Sequence, residues 1–359
     1  MKNKLLKIII AVVLTLSLCS CSDSSVLKTK EIRDEITQRN VVLESEIKTV
    51  EEYNGFFKEF SESFIIPGLF EGFIPQGVCY DDESDMFFIS GYYEDGAYPS
   101  KIVCVNAESG ELVKYLSLKN YDGSDYRGHA GGVACSETTL FISSDNECQT
   151  ISLEKLLSSE NATSVRFESK FKLNTKGSFA GYSDGILWFG DFIESSDKAR
   201  ESAERITTLK SGETFYAYCE GYTLENGLPA VSKINSSSDG YIPDYMIAVP
   251  EQVQGMAFTK SGKIIFSTSY GRKKDSYLYV FDDVFASEKV STLQIDGVEI
   301  DLLACSSDFL KSKITLPPMS EGLTSFGDEV YLIFESGAEK YRNHFGKYPT
   351  DTAFKAVIE

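Results

Sequence analysis

The sequence predicts an all-β protein, a β-propeller with five blades of four antiparallel strands each. Two observations carry this prediction: one supersecondary unit recurs along the chain, and its second strand is apolar on both faces. Each copy opens with a glycine and a short strand, and a denser apolar strand follows within twelve residues. The opening glycines are Gly77, Gly132, Gly181, Gly255 and Gly322, and the apolar strands are 87–90, 140–143, 187–190, 264–267 and 330–333.

Later strands in the copies extend each unit into a meander. A third strand is predicted at 101–105, 215–219, 277–281 and 354–358, and a fourth at 112–118 in the first copy. Four antiparallel strands repeated radially with covered faces make a propeller. Six blades is the alternative count, because the longest interval between opening glycines, 74 residues from Gly181 to Gly255, has room for a weakly marked repeat.

The last copy ends at its third strand, 354–358, so its outermost strand must come from elsewhere in the chain. The apolar segment 64–66 is the predicted donor, and Pro67 beside it suits an edge position. Such closure would tie the two ends of the domain together and remove an exposed sheet edge.

Residues 1–20 have the pattern of a signal peptide. Lys2, Lys4 and Lys7 precede an apolar run that is too short to span a bilayer. Residues 18–21 resemble the bacterial lipobox, in which a small residue, here Ser20, precedes the cysteine that becomes lipidated. We therefore expect an extracytoplasmic lipoprotein, anchored to the bacterial cell membrane by lipid on Cys21. The alternative is a plain secretory signal.

The rest of the chain divides into three predicted regions. Residues 21–48 are polar and charge-mixed, which is typical of a flexible tether. A short helix is predicted over 49–62, where Thr49 and Glu52 have the spacing of a capping box. The propeller domain is expected to occupy 63–359.

The charge of the chain limits its partners. The formal net charge is −19, and removal of residues 1–20, which carry three lysines and no acid, makes it −22. Such a surface repels phosphate backbones and anionic lipids, so we expect no nucleic-acid partner, and membrane attachment through the lipid alone. A monomer is expected. The cysteines beyond Cys21 lack zinc-ligand spacing and are predicted to be buried thiols, with one disulfide as an alternative.

The repeat also predicts where a ligand would bind. If the first strand of each copy is innermost, residues just before it and just after the second strand emerge on one face, around the central channel. Carboxyl, amide, aromatic and basic groups at such a concavity are typical of a small-molecule site. The predicted ligand-binding residues are Gln76, Tyr92, His129, Asp145, Asp191, Gln254, Tyr270, Arg272, Glu321 and Glu335. His344, the other histidine, also falls in a loop of this face.

These residues have structural alternatives. Gln76, Gln254 and Glu321 would serve equally well to bond backbone groups of neighbouring blades. His129 stands in a polar, glycine-rich loop, which favours a functional role over a buried one. The acidic segment 81–85 lies in the hairpin at the opposite face, where a solvated turn is favoured over a calcium site.

From Ile74 to its end, the chain resembles lipid-anchored or secreted bacterial β-propeller proteins of unassigned function. The residues that carry the resemblance are Pro-Gln-Gly at 75–77, Gly-His-Ala-Gly-Gly at 128–132, Val-Gln-Gly-Met-Ala-Phe at 253–258, Ser-Tyr-Gly-Arg at 269–272 and Pro-Pro-Met-Ser-Glu-Gly at 317–322. The pair Glu321-Gly322 is also similar to a Glu-Gly opening in gluconolactonase-like propellers, where the glutamate binds a divalent metal. That resemblance implies Glu321 as a metal ligand, for example to calcium, although here the pair stands in the last repeat instead of the first.

Three functions are compatible with the sequence. The first is a cell-surface lipoprotein that binds an extracellular saccharide, peptide or envelope component at the propeller mouth. The second is a divalent-metal-dependent hydrolase of lactones or esters, with Glu321 as a metal ligand. The third is a structural scaffold for a membrane-associated complex. No nucleophile-elbow, zinc-protease or P-loop motif is present, so the sequence identifies no catalytic residue and a binding protein is favoured over an enzyme.

Overall fold

The computed structural model describes residues 32–39, 46–198, 205–342 and 346–358, which form an all-β, propeller-like arrangement. The elements named below all lie in the unit formed by residues 33–359. The predicted signal peptide, the predicted lipidation site Cys21 and His344 lie outside the described residues. Within the described ranges, no helix combines the length and the apolar character needed to cross a membrane.

Among the described residues, five sheets contain four or more strands, and each has one of the five glycine-bearing strands at its inner edge. The first sheet contains β2 (Phe73–Asp81), β3 (Met86–Tyr93), β4 (Lys101–Asn106), β5 (Leu112–Lys119) and β9 (Thr163–Arg166). The second contains β6 (Gly132–Cys135), β7 (Thr139–Ser144), β8 (Glu147–Ser152) and β10 (Ser169–Lys172). The third contains β11 (Phe179–Ser183), β12 (Ile186–Gly190), β15 (Ala217–Glu225), β17 (Tyr245–Val249), β22 (Val298–Ala304) and β21 (Ser291–Ile295), with β16 (Leu228–Pro229) beside β15.

The fourth sheet contains β18 (Val253–Phe258), β19 (Ile264–Thr268), β20 (Ser276–Phe281) and β23 (Leu310–Leu316). The fifth contains β24 (Ser320–Phe326), β25 (Glu329–Phe334), β26 (Thr352–Val357) and β1 (Ser61–Ile65). A separate pair joins β13 (Thr207–Thr208) to β14 (Thr214–Phe215). The α-helices are α1 (Asn54–Glu59), α2 (Leu153–Ser158), α3 (Ser195–Lys198) and α4 (Glu339–Arg342). Short 3-10 helices cover Glu46–Thr49, Glu51–Tyr53, Glu94–Gly96, Val231–Lys233, Val284–Ala286 and Ser307–Phe309.

The sheets depart from a uniform set of four antiparallel strands at their outer edges. In the first sheet, β9 adds to β5 in parallel, and in the third sheet β22 adds to β17 in parallel. These additions draw on the connecting segments, and β13 to β17 occupy part of the long interval between Gly181 and Gly255. The extra length of this interval therefore contributes strands to the outer part of the third sheet.

The innermost strands crowd one another, and this explains their glycines. Strands β2, β6, β11, β18 and β24 contact each other in that order, and β24 contacts β2. A Cβ atom added at Gly77 would lie 2.8 Å from the backbone nitrogen of Val133 in the next inner strand. At Gly255 it would lie 2.5 Å from the backbone nitrogen of Leu323. Both distances are too short for any side chain, so glycine is required for the close approach of these strands.

The core lies between neighbouring sheets. Where the fifth sheet faces the first, the Phe87 ring lies 5.1 Å from that of Phe64 and 4.6 Å from that of Tyr331. The second strands are buried on both faces, as the unbroken apolar runs predict; all five residues of β19 are buried. Burying one such large apolar side chain contributes about 1.5–3 kcal/mol, so these sheet interfaces hold the fold together.

The predicted closure of the domain is confirmed. Strand β1 pairs antiparallel with β26, with Ser61 opposite Lys355 and Glu62 opposite Phe354. The described cysteines from Cys79 onward are free and buried, as predicted; all of them lie on strands except Cys305, which follows β22 directly.

The helix predicted over 49–62 is interrupted, and that prediction is wrong in detail. Two 3-10 turns precede α1, which begins at Asn54, and strand β1 already starts at Ser61. Val50 occupies the N-cap position of the second 3-10 turn and makes no side-chain cap bond there. Tertiary packing decides this segment: the Phe56 ring is fully buried against Phe354, at a centroid distance of 4.9 Å.

Part of the predicted tether packs on the propeller unit. Ile36 is buried, and the Gln38 amide donates to the carbonyl oxygens of Ile65 and Gly110. Asp34 accepts a hydrogen bond of 2.7 Å from Lys101, whose side chain is fully buried. The flexible-tether prediction therefore fails for residues 33–39, because this segment supplies an apolar anchor and a partner for a buried charge.

Candidate functional site

A cavity of about 600 Å³ lies where the innermost strands begin. Seven of the ten residues predicted to bind a ligand line it: Gln76, Tyr92, His129, Asp145, Gln254, Glu321 and Glu335. They come from strands β2, β3, β18 and β24 and from the loops beside β6, β7 and β25. We call this cavity the His129 mouth. The meander topology brings these residues together because pre-strand and post-strand positions share one end of the sheets.

The centre of the His129 mouth is a pair of carboxyl groups. Glu321 is almost fully buried on β24, and Glu335 follows β25 directly. A hydrogen bond joins the two carboxyl groups. Amides complete the pair: Gln254 Nε2 donates to Glu321 Oε1 at 3.2 Å, and Gln76 Nε2 donates to Glu335 Oε2 at 3.0 Å.

Burial and mutual repulsion change the protonation of this pair. Burial raises the pKa of Glu321 well above its ordinary value, and the charge of Glu335 adds to the rise. Burial also raises the pKa of Glu335 to about 7, against hydrogen bonds from Tyr341 and Gln76 that favour the charged form. Two carboxyl groups in contact cannot both ionise easily, so the pair holds a proton at neutral pH.

His129 extends this hydrogen-bonded row. Its Nε2 contacts Gln76 Oε1, and its ring lies 4.4 Å from the ring of Tyr92. Because the Gln76 amide nitrogen faces Glu335, its oxygen must accept from His129, which places the imidazole proton on Nε2. Protein surrounds most of the ring although water reaches it through the cavity. This burial lowers the pKa of His129, and the charge of Lys340 lowers it further.

Tyr341 lines the cavity together with Tyr92, and it is not one of the predicted ligand-binding residues. It lies on α4, lines the cavity and hydrogen-bonds to Glu335 and Tyr92. No pattern in the sequence distinguishes it, because α4 lies in the connection between β25 and β26, outside the repeated unit. Phe192, which follows β12 beside the predicted Asp191, and Lys176, which precedes β11, also line the cavity and are absent from the predicted set.

Three predicted residues lie away from the cavity wall. The Asp191 side chain is fully buried and pairs with Arg205 at 2.6 Å. It also accepts hydrogen bonds from the backbone nitrogens of Lys176 and Tyr218, so it organises the loops behind the mouth. The other two lie next to residues that line the cavity. The ring centroids of Tyr270 and Phe192 are 6.3 Å apart, and the guanidinium carbon of Arg272 lies 5.0 Å from the ring centroid of Tyr341.

The structure offers a limited donor set for the metal that was predicted at Glu321. Among the described residues, no three histidine, cysteine, aspartate or glutamate side chains are grouped so that they could hold a metal ion. The Glu321 carboxyl group instead bonds to Glu335 and Gln254. Calcium takes six to eight oxygen ligands, which include amide and carbonyl oxygens and water as well as carboxylates, so these two carboxyl groups would supply only part of such a set.

Comparisons with known proteins identify no family: no protein-family model matches the chain, and a search of curated proteins found no match. Among solved structures, it is similar to the crystal structure of glutaminyl cyclase from Myxococcus xanthus, with 10% identity over 84% of this chain and 95% of that one, at a TM-score of 0.42. A second is the PQQ-bound aldose sugar dehydrogenase from Streptomyces coelicolor, with 12% identity over 83% and 97%, at 0.46. At these scores, the similarities say nothing about ligand or reaction.

Proposed function

We propose that this chain is a propeller protein that binds a small polar ligand, most simply a saccharide, in the His129 mouth. The observation that carries the proposal is the continuous row Gln254, Glu321, Glu335, Gln76 and His129 along a cavity of about 600 Å³. This volume suits a ligand of one to a few sugar rings.

The chemistry of the wall supports a ligand rich in hydroxyl groups. Carboxyl and amide groups both donate and accept hydrogen bonds, since the Glu321–Glu335 pair retains a proton. The Tyr92 and Tyr341 rings provide an apolar surface beside these groups. A sugar presents the same combination of apolar ring face and polar edge.

We place this binding protein outside the cytoplasm, attached to the membrane by lipid on Cys21, and we count five blades. The lysine-rich start, the short apolar run and Ser20 before Cys21 support the location. The five sheets that begin with β2, β6, β11, β18 and β24 support the count.

Ligand binding is tested by thermal shift against panels of neutral saccharides and short peptides. A ligand at a hundredfold its Kd should stabilise the native protein by about 2.7 kcal/mol. Gln254→Ala and Tyr92→Ala should each remove most of that shift. The matched controls Gln294→Ala and Tyr121→Ala, at exposed sites elsewhere, should retain it. A shift that survives both mouth substitutions would place the ligand elsewhere.

Hydrolysis of an ester or lactone is the second candidate, and one observation favours it. Glu335 has a pKa of about 7, which suits a general acid or base at neutral pH. Hydrolysis of 4-nitrophenyl acetate and of simple lactones, measured with and without calcium, should fall at least tenfold in Glu335→Gln and in Glu321→Gln. Equal rates in the wild-type protein and both variants would exclude a role for the pair.

A further inference from the structure

A second cavity, of about 380 Å³, lies at the opposite end of the innermost strands. The same strands that bring Gln76, Gln254 and Glu321 to the His129 mouth line it with their far ends. Its inner wall includes Val78, Val133 and Leu323, whose side chains are almost fully buried in the cores between the sheets. This cavity has no part in the proposed function, and its lining differs in charge from that of the other mouth.

The rim of the second cavity carries four acidic residues. Asp82 and Glu83 come from the hairpin between β2 and β3, and Glu137 comes from the hairpin between β6 and β7; Asp81, the last residue of β2, is buried and accepts a hydrogen bond from the backbone nitrogen of Ser84. No lysine, arginine or histidine is among the described residues that line the cavity. None of the four carboxyl groups joins an ion pair within the described part of the chain. We call this end the acidic mouth.

Aromatic rings stand among these acids. Phe326 is 50% exposed, and its ring lies 4.9 Å from that of Tyr80. On the other side, the Tyr182 hydroxyl donates to the Glu137 carboxylate and holds it at the rim. A half-exposed aromatic ring beside unpaired carboxyl groups suits a lysine or arginine side chain, whose methylene stem packs on the ring while its charged head meets the acid.

We propose that the acidic mouth is a docking surface for a basic peptide segment of a partner protein. Charge complementarity selects the partner. Four carboxyl groups with no basic side chain beside them repel a negatively charged partner and attract a positively charged one. The exposed Phe326 ring adds a second requirement. One apolar side chain of the segment packs on the Phe326 ring at the opening of the cavity, while basic residues on either side of it meet Asp82, Glu83 and Glu137.

The proposal is tested with a fluorescein-labelled peptide, Gly-Lys-Arg-Leu-Arg-Lys-Gly, by fluorescence anisotropy in 20 mM and 200 mM sodium chloride. Binding is expected to weaken about tenfold at the higher salt, because the contacts are solvent-exposed charges. Replacing the peptide's leucine by serine should weaken binding about tenfold, in line with the loss of one buried apolar side chain.

Variants of the protein identify the surface. The triple variant Asp82→Asn, Glu83→Gln, Glu137→Gln and the single variant Phe326→Ala should each weaken binding at least fivefold. The matched triple variant Glu154→Gln, Glu160→Gln, Asp308→Asn removes the same charge from exposed positions elsewhere and should bind as the wild type does. Asp145→Asn, at the His129 mouth, should also bind normally, so a failure here is separable from a failure of the proposed function.

Three outcomes would overturn the proposal. The first is no binding of the labelled peptide at millimolar protein in low salt. The second is an equal loss in the rim triple variant and its matched control, which would mean attraction by net charge alone. The third is competition by spermine at the peptide's own affinity together with no effect of the leucine-to-serine change, which would identify a small polyamine as the ligand.

Discussion

The two mouths of this propeller are formed by the two ends of the same innermost strands, yet the environments of their carboxyl groups are opposite. At the His129 mouth, Glu321 is buried and Glu335 is half-buried, and the two carboxyl groups bond to each other and to amides. At the acidic mouth, Asp82, Glu83 and Glu137 are exposed and have no basic partner among the described residues that line the cavity. The degree of burial, more than the residue type, therefore decides whether a carboxyl group in this protein is protonated or ionised at neutral pH.

The largest expected effect comes from breaking the strands that separate the mouths. Gly255→Ala would place a methyl group 2.5 Å from the backbone of Leu323, and because both atoms belong to packed strands neither can yield easily. We expect a loss of about 3 kcal/mol in the free energy of unfolding, measured in urea, and a change at both mouths.

The control for that variant is Gly55→Ala, since an added Cβ there meets nothing within 4 Å. It lies inside α1, where alanine is favoured over glycine by about 0.5–1 kcal/mol. A Gly255→Ala protein as stable as this control would mean that the innermost strands are not closely packed.

A second prediction concerns pH and applies to the His129 mouth alone. Because the pKa of Glu335 is raised from its ordinary value to about 7 in the folded protein, the folded state binds the proton more tightly than the unfolded state. The resulting stabilisation is fully present below about pH 4.5 and is lost as the pH rises through about 7. A shift of this size corresponds to something on the order of 3 kcal/mol.

Urea titrations at pH 5, 6, 7 and 8 measure this loss. Glu335→Gln should flatten the decline, whereas Glu137→Gln at the acidic mouth should leave the decline as it is. Parallel pH profiles for the wild-type protein and Glu335→Gln would contradict the shared proton and, with it, the contrast between the mouths.

A smaller effect is expected from Gln76→Leu. The Gln76 amide joins His129 to Glu335, and water can reach both of these partners, so the loss of each hydrogen bond should cost about 0.5–1.5 kcal/mol. It should also raise the pKa of Glu335 further, because the lost hydrogen bond favours the charged carboxylate. The midpoint of the pH-dependent decline should then move upward; an unchanged midpoint would show that Gln76 does not contact Glu335 in solution.

The smallest effect is expected at the acidic mouth. Glu137→Gln retains an acceptor for the Tyr182 hydroxyl and relieves repulsion from Asp82 and Glu83, so its stability should lie within about 0.5 kcal/mol of the wild type. Thermal unfolding in low salt would detect a change. A loss of more than about 1 kcal/mol in the free energy of unfolding would mean that these acids stabilise the fold, and it would contradict their assignment to partner binding.

The helical segment and the predicted tether show where local patterns fail. Thr49 and Glu52 have the spacing of a capping box, but α1 starts only at Asn54, because burial of Phe56 against the fifth sheet sets the position of the helix. The segment 33–39 is polar in composition, yet Ile36 and Asp34 find partners on the propeller. Composition averages over a segment, whereas packing depends on single residues and on what lies opposite them.

The sequence alone determined the unit that repeats, the strand that closes the fifth sheet, and the end of the sheets at which seven of the ten predicted residues meet. The repeated unit and the position of the site follow from periodicity and strand alternation, which act between near neighbours in the chain, and the closing strand follows from the outermost strand that the last copy lacks. Only the tertiary structure decided that Asp191 would be buried beside Arg205, that Tyr341 would complete the His129 mouth, and that Glu321 and Glu335 would share a hydrogen bond. Those outcomes depend on contacts between residues far apart in sequence and on how far packing excludes water from each group. A pattern along the sequence predicts neither of them.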